Sequence, residues 1–195
     1  MFKARIIIAD SQTVHRKRLK DLLTKAGYVV MNESSDGLKA LKAIQQLSPD
    51  LAILDAQLDT YTGFQVARTL SETVQIPVIT TSSHLDHDTF REAAEALSFA
   101  HLVKPVDEAN LYASIEITLS NFRRILDLQK EIKNLQQEIR SRKLVERAKG
   151  LLMKHQGLSE SEAYNKLRTE SMNRHTSMGR IADSIIAYYE IMQEK

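Results

Sequence analysis

Five short apolar segments alternate with five amphipathic segments over the first 120 residues of the chain. The apolar segments span residues 6–9, 28–31, 51–54, 77–80 and 100–103. Continuous apolar runs of this length are typical of strands that are covered on both faces of a parallel sheet. The amphipathic segments predict helices over 14–25, 37–47, 63–72, 87–97 and 107–120. The alternation predicts a flavodoxin-like α/β fold with a five-stranded parallel sheet of order 2-1-3-4-5.

Charged side chains follow three of these predicted strands, at the point where each strand ends. Asp10 follows the first strand, Asp55 the third and Lys104 the fifth. Because the carboxyl ends of parallel strands meet at one edge of a sheet, we expect these side chains to lie close together. A carboxylate that attacks phosphorus needs nearby positive charge to offset the repulsion between the two groups. The pattern therefore indicates phosphoryl transfer onto a carboxylate.

The stretch from residue 106 to residue 149 contains neither Gly nor Pro and predicts one long helix. Within it, five aliphatic residues repeat at spacings of 3, 4, 3 and 4, which is a coiled-coil seam. The seam consists of Ile125, Leu128, Ile132, Leu135 and Ile139. Polar residues fill nearly every position between them, and so narrow a stripe favours a coiled-coil homodimer. The alternative is an amphipathic helix that folds back onto its own domain.

The last fifty residues predict a small α domain of three helices. Gly157 ends the first helix, because glycine readily adopts the left-handed conformation found after helix ends. Ser159 and Glu162 have the spacing of a capping box that opens the second helix. Thr176 or Ser177 caps the third.

Charge is distributed unevenly along the chain. The whole chain carries a formal net charge of +2, but residues 140–180 hold ten Lys and Arg against four Glu, a net charge of +6. The remainder is therefore acidic. This asymmetry predicts a regulatory module joined to a module that binds a polyanion.

The composition excludes several classes of protein. There is no cysteine, so disulfides and thiolate metal sites are excluded. No apolar stretch approaches the roughly 18 residues that span a membrane, and the N-terminal segment lacks a signal-peptide pattern. We therefore expect a cytoplasmic protein with no membrane partner. No Ser-His-Asp set, P-loop or glycine-rich dinucleotide turn is present in the sequence, so we expect no catalytic residues and no enzyme.

The pattern at the strand ends resembles the receiver domain of bacterial two-component response regulators, over about the first 120 residues. Besides the charged residues named above, the resemblance rests on Gly63, Ser82 and the Lys104–Pro105 pair, a candidate cis peptide. It implies that a sensor histidine kinase phosphorylates Asp55. It implies that the residues which hold Mg²⁺ are Asp10, Asp55 and, through its carbonyl, Gln57. It implies that the residues which contact the phosphoryl group or switch with it are Ser82, His101 and Lys104.

Two positions depart from the receiver pattern. Ser11 follows Asp10 where the family usually has a second acidic residue, so the ion site lacks one carboxylate. His101 stands where the family usually has Tyr or Phe. We therefore expect a working receiver with weakened Mg²⁺ binding.

Four C-terminal segments, residues 148–153, 157–164, 167–168 and 171–172, resemble the ANTAR domain. This is the RNA-binding output module of amidase, nitrate and ethanolamine antitermination regulators. It implies binding to paired hairpins in a nascent leader mRNA, which prevents transcription termination. Most apolar residues of these segments are expected to form a helical core. The expected RNA contacts come from exposed residues: Lys149, Lys154, Arg168, Asn173 and Arg174.

Two other functions fit parts of the sequence. The turn at Gly157 also resembles that of a helix-turn-helix protein, which predicts a DNA-binding response regulator; the largely apolar segment 178–186 argues against a recognition helix. Ser11 supports a regulator that is independent of phosphorylation and is controlled by partner sequestration. We expect a receiver over 1–120, a coiled-coil linker and dimerisation helix over 121–143 and an ANTAR RNA-binding helical domain over 144–195.

Overall fold

The computed structural model describes residues 4–73, 76–84, 86–96 and 98–193. The chain divides into two compact units, Met1–Ile125 and Leu126–Lys195. The domain boundaries at residues 120 and 143 stay predictions. No helix in the part of the chain that the structure describes is both long and apolar enough to cross a membrane.

The first unit contains five parallel strands. They are β1 (Arg5–Ala9), β2 (Val29–Ser34), β3 (Leu51–Asp55), β4 (Val78–Ser82) and β5 (Ala100–Val103). The sheet has the order β2-β1-β3-β4-β5, so the predicted fold and order are confirmed. Ala9 pairs with Leu54, and Asp55 pairs with Thr81 on the next strand. This register brings Asp10 and Asp55 to the same edge of the sheet.

Four helices connect these strands. They are α1 (Thr13–Lys25), α2 (Gly37–Leu47), α3 (Gly63–Thr73) and α4 (His87–Glu95). Asp36 and Asp86 cap α2 and α4, because their carboxylates accept hydrogen bonds from main-chain N–H groups of the first turn. The helix predicted over 87–97 ends at Glu95, and position 97 lies outside the described residues.

Apolar side chains of the sheet pack alternately against its two faces. Ile7 and Leu54 pack with the helices α2 and α3 on one face. Ile6 and Ile53 pack on the other face with α1 and with a fifth helix, α5, which runs over Glu108–Gln156. Both faces are covered, which is why the strands read as continuous apolar runs rather than alternating ones.

The helix α5 begins in the first unit and continues without interruption into the second. The prediction that the fifth helix of the sheet domain is continuous with the coiled-coil segment is therefore confirmed. The helix has 49 residues. It contains no proline, and no glycine before Gly150, so no residue there interrupts its main-chain hydrogen bonds.

The second unit contains the predicted three-helix domain. The end of α5 packs against α6 (Glu160–Asn173) and α7 (Met178–Gln193) around an aliphatic core of Val145, Ala148, Leu152, Ala163, Leu167, Ile181, Ala182 and Ile186. Gly157 follows α5 with φ +67°, and Ser159 and Glu162 form the predicted capping box at the start of α6. Of the two proposed caps of α7, Ser177 accepts a hydrogen bond from the main-chain N–H of Arg180, at 3.4 Å.

Candidate functional site

Lys104 joins two buried carboxylates at the carboxyl edge of the sheet. Its Nζ lies 2.7 Å from Oδ2 of Asp10 and 2.9 Å from Oδ2 of Asp55. Asp10 is fully buried, Asp55 is 3% exposed, and the side chain of Lys104 is 6% exposed. The Lys104–Pro105 peptide bond is cis, as predicted. The three residues that the sequence places at strand ends thus form one buried cluster with a net charge of −1.

The surroundings of Asp55 disfavour its charged form. Burial raises the pKa of Asp55, although its hydrogen bond and ion pair with Lys104 act in the opposite direction, and the negative charge of Asp10 adds to the increase. The main-chain N–H of Gln57 also acts to lower the pKa of this carboxyl group. A buried carboxyl group with a perturbed pKa and a specific charged partner is a candidate functional site.

Gly63, the first residue of α3, lies against the main chain of Asp55. A Cβ atom at this position would overlap the carbonyl oxygen of Asp55, and the Gly63 N–H donates to the carbonyl of Ala56 at 3.3 Å. Only glycine allows this helix to begin so close to the strand that carries Asp55. The glycine that the sequence singled out is therefore required by the packing of the site.

Asp10 is fixed by the segment that opens α1. Its Oδ1 accepts a hydrogen bond from the main-chain N–H of Gln12 at 2.8 Å, and its carbonyl accepts one from Nη1 of Arg16 at 2.5 Å. Nδ1 of His15 lies 3.9 Å from Oδ2 of Asp10. Sequence reasoning missed His15 and Arg16. Their position in the first turns after a strand-end carboxylate was the available signal.

Ser82 and His101 are in direct contact on β4 and β5. The Ser82 hydroxyl donates to the carbonyl of His84, so its oxygen accepts a hydrogen bond from Nε2 of His101, at 2.8 Å. Nδ1 of the same ring then accepts from the hydroxyl of Thr80, at 2.9 Å. Burial lowers the pKa of His101, which agrees with the neutral ring that this arrangement requires. The sequence predicted Ser82 and His101 but gave no signal for Thr80.

Lys149 does not have the exposed side chain that we expected. It is 7% exposed, and its Nζ forms ion pairs with Glu146 at 2.9 Å and with Glu160 at 2.7 Å. Glu160 and then Glu146 raise the pKa of Lys149 by these contacts. The expectation of exposure was wrong because the side chain connects α5 to the first turn of α6. Its contact with RNA stays a prediction.

The other predicted RNA-contacting residues are exposed. They are Lys154 on α5, Arg168 and Asn173 on α6, and Arg174 directly after α6. Nε of Arg174 lies 3.0 Å from Oε2 of Glu170 in an i,i+4 ion pair. These donors are available to a polyanion, as the charge distribution predicts.

The seam residues of α5 are also exposed within the single chain. Their exposed fractions range from 40% for Ile125 to 56% for Ile139, with Ile132 at 54% and Leu135 at 52%. Such a row of aliphatic side chains on one helix face is the surface that a coiled-coil partner covers.

Comparisons with known proteins agree with this arrangement. Residues 6–116 match the response regulator receiver domain, and residues 133–186 match the ANTAR domain. The chain belongs to the response regulators. PdtaR, a transcriptional regulatory protein of Mycobacterium tuberculosis H37Rv, is 32% identical over 93% of this chain and 89% of its own length. The output domain of this response regulator is therefore of the RNA-binding ANTAR type, not the helix-turn-helix type.

Solved structures resemble the receiver domain. The receiver domain of a modulated diguanylate cyclase from Desulfovibrio desulfuricans G20 is 27% identical, with a TM-score of 0.59, and covers 62% of this chain and 97% of its own. A DNA-binding response regulator of the LuxR family from Staphylococcus aureus is 24% identical, with a TM-score of 0.57 over 60% of this chain and 98% of its own, and shares the fold.

The receiver site has a donor set that suits Mg²⁺. This ion takes oxygen ligands and keeps several waters, so one or two carboxylates with a carbonyl are enough. Oδ2 of Asp10 is buried with the Lys104 ammonium at 2.7 Å, and a carboxylate oxygen has a second lone pair that can bind a cation. Within the described residues, no cluster of three or more His, Asp or Glu forms a denser metal site. Because Ser11 stands where receivers usually have a second acidic residue, this site has one carboxylate fewer than is usual in the family.

Proposed function

We propose that this response regulator is controlled by phosphorylation of Asp55 by a sensor histidine kinase. When phosphorylated, it binds paired hairpins in a nascent leader mRNA and prevents transcription termination. The observation that carries the proposal is the buried Asp10–Asp55–Lys104 cluster in a chain that also carries an ANTAR domain. A receiver with an intact acceptor and counter-charge has the groups that the chemistry needs.

The reaction at Asp55 is a phosphoryl transfer. One carboxylate oxygen forms a bond to phosphorus while the bond from phosphorus to the kinase histidine breaks, and the electron pair of that bond stays on the imidazole. Lys104 offsets the negative charge that the phosphoryl group brings next to Asp10. Asp10, Asp55 and the carbonyl of Gln57 would hold Mg²⁺, which would supply further positive charge near the phosphoryl group.

Phosphorylation changes the partners of Ser82. The hydroxyl that donates to His84 and accepts from His101 must turn toward the new phosphoryl oxygens. His101 then loses its contact with Ser82, and the ring is free to move between β4 and β5. This is how the acceptor site alters the surface formed by the last two strands and their helices.

Dimerisation through α5 links this change to RNA binding. Burying the exposed seam residues against a second copy joins two ANTAR domains in one homodimer. Two linked domains bind two hairpins far more tightly than one, because the second contact is made at a high effective concentration. We assign the RNA contacts to Lys154, Arg168, Asn173 and Arg174, with Lys149 as a prediction of lower priority because two carboxylates hold it.

The first test addresses the acceptor. The full chain is incubated with acetyl phosphate and Mg²⁺, and intact mass is measured for the wild type and for Asp55→Asn. We expect one added phosphoryl group on the wild type and none on the variant. A wild type that stays unmodified, or an adduct that survives in Asp55→Asn, would contradict phosphorylation at this residue and favour control by partner sequestration.

The second test addresses the nucleic acid. Binding to a two-hairpin leader RNA is compared with binding to duplex DNA, with and without acetyl phosphate, across a salt series. We expect tighter binding to RNA, strengthened by phosphorylation, and an affinity that falls with salt as counterions are released. Preference for the DNA would refute the antitermination proposal and support the DNA-binding alternative.

A further inference from the structure

The ANTAR domain contains an open groove between its three helices. The groove has a volume of about 220 Å³. Its polar and aromatic lining comes from Gln156 on α5, Lys166 and Glu170 on α6, Arg174 directly after α6, and Tyr188 and Tyr189 on α7. Leu152, Ile181 and Ile185 also line the groove, so its apolar part borders the aliphatic core that holds the three helices together. Of these residues, only Arg174 is already assigned to RNA.

Aromatic rings form one wall of the groove. Tyr189 stacks on His155 with ring centroids 4.6 Å apart and planes 18° apart, and Tyr188 meets Tyr189 edge-to-face at 5.3 Å. Tyr188 is 56% exposed. Among Phe, Tyr and Trp, the chain beyond residue 125 holds only Tyr164, Tyr188 and Tyr189, so two of these three meet at this groove. An exposed tyrosine ring held by a second ring offers a flat surface for stacking.

Polar groups form the opposite wall and are already ordered. Nζ of Lys166 donates to Oε1 of Gln156 at 2.7 Å, and Nε2 of Gln156 donates to the hydroxyl of Tyr189 at 2.8 Å. Because that hydroxyl oxygen accepts, its own proton can be donated to a ligand. The ion pair between Arg174 and Glu170 uses Nε, so the Nη groups of Arg174 remain as donors.

This combination suits one class of ligand. An unpaired RNA base presents a flat face for stacking and acceptors on its edge, and the adjoining phosphate presents charge. Two cations face a single carboxylate in the groove, within a segment of net charge +6. A purely apolar partner would leave Lys166, Arg174 and the Tyr189 hydroxyl without a role.

We propose that this groove binds one unpaired base of an RNA hairpin loop. The base stacks on Tyr188, the Tyr189 hydroxyl donates to the base edge, and Arg174 pairs with the neighbouring phosphate. The proposal rests on the RNA-binding function and adds to it a site that selects looped-out bases over paired ones.

The test uses the full chain and the tightest RNA selected from a two-stem-loop library with randomised loops. We expect Tyr188→Ala to weaken binding about tenfold or more, since stacking on an aromatic ring contributes that much per base. Tyr188→Phe keeps the ring and should retain near wild-type affinity. Tyr164→Ala is the matched control, because Tyr164 is also exposed, at 43%, but does not line the groove.

A second readout identifies the base. Each loop position is made abasic in turn, and one position should lower the affinity of the wild type while leaving that of Tyr188→Ala unchanged. At that position, 2-aminopurine fluorescence should be quenched by the wild type and by Tyr188→Phe but not by Tyr188→Ala. Circular dichroism melting confirms that the variants are folded, and Tyr188→Phe keeps the test valid if truncation disturbs α7.

Two failures can be told apart. If the wild type binds the selected RNA but Tyr188→Ala and Tyr164→Ala bind equally well, the groove is not a base site and the RNA-binding function stands. If abasic and Tyr188→Ala effects add at every loop position, the proposed stacking contact is refuted. If the wild type prefers duplex DNA to every selected RNA, both the groove proposal and the proposed function fail.

Discussion

At the scale of single residues, Lys104 allows two carboxylates to be buried side by side in the receiver site. Two carboxylates without water would repel each other, and an uncompensated buried charge is strongly destabilising. The ammonium group lies within 2.9 Å of both acids, so one cation serves two anions. Asp55 keeps a raised pKa because one ammonium shared between two acids does not fully offset burial.

This raised pKa predicts how stability depends on pH. Because its pKa is raised, Asp55 binds a proton more tightly in the folded chain than in the unfolded chain. Ionised Asp55 therefore lowers the stability of the fold at neutral pH. This loss disappears below about pH 4, the ordinary pKa of an aspartate, where the group is protonated in both states. We expect Asp55→Asn to melt at a higher temperature than the wild type at pH 7. The difference should shrink as the pH falls toward about 4.

Asp50 is the matched control with the opposite sign. Burial alone would raise the pKa of Asp50, but the hydrogen bonds and charge of Arg5 lower it overall. Asp50→Asn should therefore destabilise the protein at pH 7 and lose its effect at low pH. Thermal melts of the three proteins at several pH values check both signs. Lower stability of Asp55→Asn at pH 7 would contradict the burial argument.

Residue-scale prediction from sequence succeeded where position along the chain determines geometry. Asp10, Asp55 and Lys104 end strands of known order, so their meeting follows from topology. The burial of Lys149 was not predictable in this way, because it depends on the angle at which α6 begins beside α5. The contact between Thr80 and His101 depends likewise on a side-chain orientation that the strand pattern does not specify.

At the scale of elements, α5 contains a glycine in its interior, where glycine lowers the stability of a helix. Gly150 lies inside the helix on an exposed face, and a Cβ atom there would meet nothing within 4 Å. A glycine in a helix interior is less stable than alanine by about 0.5–1 kcal/mol, because it loses more backbone entropy on folding. Nothing in the packing of the described chain offsets this loss.

Two glycines of the same domain form a test of this reasoning. Gly150→Ala should stabilise the domain by about 0.5–1 kcal/mol, measured by urea denaturation. Gly157 has equally open surroundings but a φ of +67°, so Gly157→Ala should destabilise it by about 1 kcal/mol. Equal effects of the two substitutions would show that backbone conformation is not the cause.

Element boundaries were predicted best where a local signal marks them. Gly157, with a positive φ, follows the end of α5 as expected, and Gly27 has the same conformation after the end of α1. The strand β2 continues to Ser34, beyond the predicted residue 31, because its pairing with β1 extends to Ala9. Pairing with a neighbouring strand is not visible in the composition of the strand itself.

At the scale of the whole molecule, the exposed seam is the surface through which we propose that two chains associate. Ile132 is 54% exposed, and burying an aliphatic side chain of this size contributes about 1.5–3 kcal/mol. Ile132→Glu should therefore raise the dimer dissociation constant at least about tenfold, as measured by sedimentation equilibrium. RNA affinity should fall with it, although Ile132 is not among the residues that we assign to RNA.

Lys130→Glu provides the comparison for this variant. Lys130 lies on the same helix and is exposed, but it precedes Ile132 by two residues and is not one of the seam residues. It should leave both self-association and RNA binding nearly unchanged. A monomeric Ile132→Glu protein that still binds two-hairpin RNA as tightly as the wild type would remove dimerisation from the mechanism.

If chains pair through the open seam, the amount of dimer depends on how much of the regulator the cell contains. An association that depends on five modestly sized aliphatic contacts is bimolecular, so at low abundance the amount of paired protein grows with the square of the number of copies. Expression level then becomes an input of its own, beside the kinase. A strain that makes twice as much of this regulator should respond to a fixed stimulus by considerably more than twofold.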